Sequence, residues 1–140
     1  MKDLIKVQIK GIELLDNHLI VPTTPIADIK EFRFDISIEQ KFNLDNKLIF
    51  VVPNITITDE TKVKFGSIKV NVIFEANDLT NFIDSKTNQV NLPNEIVQFL
   101  NSIALSTTRG VMFSQFKGTF LYNAILPILD LSEIKILKFK

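Results

Sequence analysis

The sequence predicts an α+β chain, with strands first and one long helix after them. Three observations carry this. Residues 32–75 read as three consecutive antiparallel strands, Leu4 to Ile12 alternates in the same way, and Pro93 to Thr108 has the composition and punctuation of a helix. In Phe32-Arg33-Phe34-Asp35-Ile36-Ser37-Ile38-Glu39 the period of two places Phe32, Phe34, Ile36 and Ile38 on one face. Arg33, Asp35, Ser37 and Glu39 fall on the other, the pattern of an antiparallel sheet with one wet side.

Taken in order, Ile5, Val7 and Ile9 oppose Lys6, Gln8 and Lys10 in a first strand. Gly11 to Asn17 is expected to bend, and His18 to Val21 to continue extended. Pro22-Thr23-Thr24-Pro25 and the residues up to Glu31 form a long crossover that includes Ile26 and Ile29. After the alternating strand, Asn43 to Asn46 supplies turn chemistry and Lys47 to Val52 begins the next strand. Pro53 cannot donate to a ladder and is expected at an edge or a bulge. Asp59 to Lys62 turns the chain again. In the following strand Val63 and Phe65 share one parity and Ile68, Val70, Val72 and Phe74 the other, so an extra residue is expected at Gly66-Ser67. Ile49, Val51 and Ile73 fall on the nominally polar parity, leaving apolar patches of the kind that mark self-assembly or client binding.

Residues 77–91 are rich in Asn, Asp, Ser and Thr and read as loop. The helix from Pro93 ends, on this reading, at Gly110. Its apolar residues, Ile96, Val97, Phe99, Leu100, Ile103 and Ala104, cover more than half its circumference, which calls for partners on two sides: its own sheet and another subunit. Residues 111–126 fit helix or strand equally. Ser132 is expected to cap a short final helix that runs to Lys140, with Glu133 in its first turn.

At 140 residues the chain is expected to form one domain. Lysine and arginine balance aspartate and glutamate at 16 each, and the lysines are scattered, so no field steers the protein to nucleic acid or anionic lipid. The absence of cysteine excludes a disulfide framework, a thiolate nucleophile and a Cys zinc site. The charged start and the short apolar runs point to a cytoplasmic chain with neither a signal peptide nor membrane insertion. The single histidine, His18, has no assembled nucleophile or orienting acid in the sequence, and four glycines form no phosphate loop. No enzyme, metal site or cofactor is expected. Asp59-Glu60 reads as turn chemistry, and Pro22-Thr23-Thr24-Pro25 as a stiff extended crossover.

The order of elements resembles the SecB family of protein-export chaperones. The residues that carry the resemblance are the first strand, the crossover with Pro22 and Pro25, the meander over 32–75, Pro93-Asn94 opening the helix, Ser106-Thr107-Thr108-Arg109-Gly110, and Pro127 before the C-terminal end. The resemblance implies a four-stranded antiparallel sheet with a long helix and a short C-terminal helix on one side, assembled as a homotetramer, a dimer of dimers, whose long helices pack between the dimers. It implies ATP-independent holding of unfolded or pre-export polypeptides in apolar grooves, with Ile26, Ile29, Phe42, Leu48, Phe50, Leu126 and Leu129 as groove residues by position. Val97, Leu100 and Ala104 would serve the oligomer interface, and Asp16 would match one acidic position used for docking on the translocase motor ATPase. The sequence departs from the family at Ile20 and Ser67, where further acidic residues are expected, in its zero net charge, and in its longer segment between Gly110 and Pro127. Peptide holding therefore carries over better than export, and a stand-alone chaperone serving an antitoxin or a phage fits as well. A carrier of small apolar ligands is the alternative.

Overall fold

A computed structural model describes residues 5–21 and 31–128, together with the backbone of 135–138. Its strands are β1 (Gln8–Leu19), β2 (Arg33–Asn43), β3 (Leu48–Thr58) and β4 (Lys64–Glu75), followed by a 3₁₀ turn at Leu79–Phe82 and a small hairpin of β5 (Ile83–Asp84) and β6 (Gln89–Val90). The helix α1 spans Asn94–Phe116, and β7 (Lys135–Lys138) ends the described chain. The main sheet has the order β1-β4-β3-β2-β7. β1, β4, β3 and β2 pair antiparallel, as the alternation predicts, and β7 joins β2 in parallel.

The turn after β2 sets the register. Asn46 N–H bonds the Asn43 side chain at 3.1 Å and Lys47 takes a positive φ of 56°, so Phe42 pairs with Ile49. The odd residues of β3 then lie opposite the even residues of β2. Ile49 and Val51, expected on the polar side, instead lie with Ile55 and Ile57 on the inner face and are fully buried. The outer face carries Leu48, Phe50, Val52 and, from β4, Ile73.

Pro53 departs from expectation. It sits within the central strand β3 and keeps register with Ile38. The β3–β4 ladder instead skips a step there, running from Val51↔Val72 to Asn54↔Lys69, so the ladder opens without a bulge where proline has no N–H to give. The bulge in β4 exists but lies one residue early. Ile57 faces Gly66 and Thr58 faces Lys64, leaving Phe65 as the extra residue. Its buried ring packs edge-to-face on Phe32 and Phe120, with centroids 6.2 and 6.1 Å away. Gly66 is required beside it, because a Cβ there would lie 2.9 Å from the His18 carbonyl oxygen.

The core lies between the inner face of β2, β3 and β4 and one stripe of α1. Ile96, Val97, Leu100, Ala104, Leu105, Met112 and Phe116 recur at three- and four-residue spacings and are buried there. Helix α1 passes through Gly110, where the sequence predicts its end. Glycine in a helix interior costs about 0.5–1 kcal/mol, whereas burial of Met112 and Phe116 on the next two turns contributes about 1.5–3 kcal/mol each. The stop lies at Lys117, followed by Gly118 at φ 81°. Arg109 donates to the carbonyls of Leu126 and Pro127 at 2.7 and 2.9 Å, which folds the segment after the helix back onto it.

Three further expectations are corrected. The stretch from Gly11 to Asn17, expected to bend, is strand, and β1 runs through it to Leu19. The polar stretch 77–91 contains the 3₁₀ turn and the β5–β6 hairpin, with Leu79 fully buried beneath them. Residues 135–138, expected within a final helix, form a strand whose four register pairs lie along Ser37–Gln40. The cap at Ser132 and Glu133 lies outside the described residues.

Candidate functional site

The inner face is one continuous surface by register but is covered unevenly. Ile9, Ile12, Leu14 and Leu19 of β1 pair with Phe74, Val72, Val70 and Gly66 of β4 and share their face. Irregularities in β1 at Lys10 and Leu15 keep these side chains in phase. Helix α1 lies over β3 and β4 and leaves this flank bare. The four side chains keep between 42% and 50% of their surface exposed, although their pairing partners Phe74, Val72 and Val70 are fully buried. A side-chain bond from Asn17 to Gln115, 3.1 Å, ties the far end of β1 to the end of the helix. Beyond the strand, Ile20 and Val21 extend the exposed apolar run. Among the described residues β1 is also a sheet edge, with no strand paired along its outer side.

The outer side of α1 is a second exposed apolar feature. Phe99 and Phe113 are 42% and 54% exposed, and Ser102, Ser106 and Gly110 lie between them on the same side. Small residues between aromatic ones allow close approach of another backbone.

The opposite flank, β2, differs in character. A cleft of about 90 Å³ at one end is lined by Phe42, Leu44, Asn88, Gln89 and Val90. One of about 330 Å³ at the other end is lined by Asp35, Ile36, Ser37, Asn54 and Thr56. The apolar cleft is well below the roughly 300 Å³ of a small-molecule pocket, which argues against a carrier of small ligands there. Within the core nearby, Gln40 donates to Asn101 at 2.9 Å, and both residues are fully buried. Gln40 Oε1 and Asn101 Nδ2 have no partner among the described residues.

The sequence-derived site residues are not gathered on one surface. Phe42 lines the apolar cleft, Leu48 and Phe50 lie half-buried on the outer face, and Leu126 is buried in the core. Ile26, Ile29 and Leu129 lie outside the described residues. Val97, Leu100 and Ala104 face the chain's own sheet, while Phe99 and Phe113 occupy the outward side. Asp16 is exposed on the outer face of β1, where its carboxylate accepts Asn17 N–H at 3.0 Å and lies 2.8 Å from His18 Nε2. That pair is open to water on both sides; Ser67 is the register partner of His18, but no side-chain hydrogen bond joins the two among the described residues. Asp59 is a turn residue, as predicted. It accepts the Thr61 hydroxyl and the N–H groups of Thr61 and Val63, and the Thr61 hydroxyl bond is the main cause that holds its carboxyl below the usual range. No cluster of three potential metal ligands occurs among the described residues.

The bare β1 flank is what sequence reasoning missed. Its signal was present in Ile9, Ile12, Leu14 and Leu19, but two irregularities hide their common face from a simple period of two.

No family model matches the sequence, and no curated protein is similar to it. Solved structures do match. One is the SecB-like chaperone Rv1957 of Mycobacterium tuberculosis, in complex with a ChAD peptide from the HigA1 antitoxin. It aligns with a TM-score of 0.58 over 89% of this chain and 90% of that one, at 14% identity. The fold of this chain is SecB-like.

Proposed function

We propose that this protein is an ATP-independent holdase for unfolded polypeptides. The observation that carries the reading is its likeness, over nine-tenths of both chains, to a SecB-like chaperone held with a peptide of an antitoxin. A surplus of exposed apolar side chains along an edge strand suits such a role, because binding the unfolded state opposes its folding and aggregation by mass action. Association into a dimer of dimers would employ the β1 flank and the outer side of α1, leaving the β2 side for clients. Export through the translocase motor has only Asp16 in its favour. A stand-alone chaperone is the other context, and the antitoxin peptide bound by the structural neighbour favours an antitoxin as client; no catalytic role is proposed.

The test is refolding of a denatured model protein with and without a slight excess of this chain. Stalled refolding, with the client co-eluting with an oligomer, is expected. Refolding at the normal rate would remove the holdase reading while leaving the fold intact.

A further inference from the structure

We infer that the outer side of α1 packs against the same helix of a second copy, antiparallel and crossing at Ser102, with each Glu95 facing the partner's Arg109. This rests on the association proposed above and names the contact that makes it. α1 contains only two charged residues, Glu95 and Arg109, and they stand seven positions before and after Ser102. Seven residues fall about 20° short of two full turns, so the three share one line along the helix. Phe99, Ser106 and Phe113 lie within roughly 60° of that line at 3.6 residues per turn. All six are exposed except Arg109, which is half-buried. Arg109 gives Nε and Nη2 to the carbonyls of Leu126 and Pro127, while Nη1 has only a 3.5 Å contact with Ser106 Oγ. A guanidinium carries several N–H donors in a fixed fork, so Arg109 keeps donors for a carboxylate beyond those two bonds.

Charge and shape select the same arrangement. A second helix laid parallel on this stripe would set Glu95 against Glu95, Arg109 against Arg109 and Phe99 against Phe99, which costs like-charge repulsion and holds the backbones apart. Laid antiparallel about Ser102, each Glu95 meets the partner's Arg109, and each Phe99 lies over the partner's Ser106. Phe113 then reaches past the start of the partner's helix to its exposed Pro93. The midpoint of Glu95 and Arg109 is Ser102, and that of Phe99 and Ser106 falls within half a residue of it. Two independent pairings, one of charge and one of an aromatic side chain on a small one, therefore give one register. The contact is isologous and closes on itself, as a twofold interface must.

The chain contains no cysteine, so single cysteines report the register cleanly. Ser102→Cys, Gln98→Cys and Ser106→Cys each alter one exposed position of the full chain, and disulfide-linked dimer is measured under mild oxidation. Only Ser102 meets its own copy at the crossing. Gln98 and Ser106 each stand eight residues along the axis from their copies, about 12 Å, beyond the ~7 Å Cα limit of a disulfide. Ser102→Cys is therefore expected to link at least about tenfold faster than either neighbour. Equal rates at the three positions, or no linkage at Ser102, overturn the inference. In the Ser102→Cys background, Glu95→Lys sets two cations together at each end of the contact. Linking should slow several-fold, with the loss shrinking as salt rises, and an unchanged rate overturns the charge pairing. No client enters this test. Failed linkage by a chain that still stalls client refolding leaves the holdase reading standing, whereas failed linkage together with normal refolding removes both.

Discussion

The centre of the sheet and its β1 flank present the same kind of side chain on the same face, with opposite outcomes. Val70, Val72 and Phe74 are fully buried, while Leu14, Ile12 and Ile9, their partners one strand over, stand nearly half exposed. What separates them is the position of α1, which rests on β3 and β4. Apolar periodicity therefore specifies which face a residue takes, and the placement of the covering element specifies whether that face is core or surface. Surplus apolar area that the core does not require is where a binding or assembly function resides.

The sharpest way to probe the difference is at the helix contact. Leu100→Ala, at a fully buried position, is expected to cost about 2–5 kcal/mol in chemical denaturation. A loss of less than about 1 kcal/mol would mean that the helix does not seal the centre. The seam between the two regions comes next. Gly66 pairs with Leu19 of β1 and Ile57 of β3, and a Cβ there meets the Leu121 side chain at 2.8 Å as well as the His18 carbonyl. Gly66→Ala should destabilise by about 1–3 kcal/mol through overpacking. Gly110 is the contrast, since nothing lies within 4 Å of its would-be Cβ. Gly110→Ala should raise stability by roughly 0.5–1 kcal/mol. Destabilisation instead would show that the outer side of α1 is closely packed against another copy.

Much of this was legible in the sequence. Strand and helix identities followed from the alternation over Phe32 to Glu39 and the spacing of Ile96, Val97, Leu100 and Ala104. The failures have physical causes. Gly110 has the chemistry of a helix end, but Met112 and Phe116 gain more by continuing to face the core than glycine costs. Pro53 sits mid-strand because β3 leaves both Val52 and Pro53 unpaired on its β4 side. Residues 135–138 carry Lys-Ile-Leu-Lys, too short for periodicity to separate strand from helix, and the neighbouring β2 edge decides. The site was less legible still. Phe42 lies at a cleft, but Leu126 is core, and the β1 flank was hidden by irregularities at Lys10 and Leu15.

The flank itself completes the comparison. Ile12→Ser/Leu14→Ser removes side chains that are already half in water, so each should cost the intrinsic stability of the subunit about half of what a fully buried aliphatic side chain would, roughly 1 kcal/mol. The mass in solution should respond strongly. Sedimentation equilibrium at micromolar concentration therefore tests most directly whether the bare flank is an assembly surface. The wild-type chain should sediment at a multiple of 16.0 kDa, with the double variant shifted toward the single subunit. A wild-type mass of 16.0 kDa, or an unchanged assembly in the variant, would contradict it.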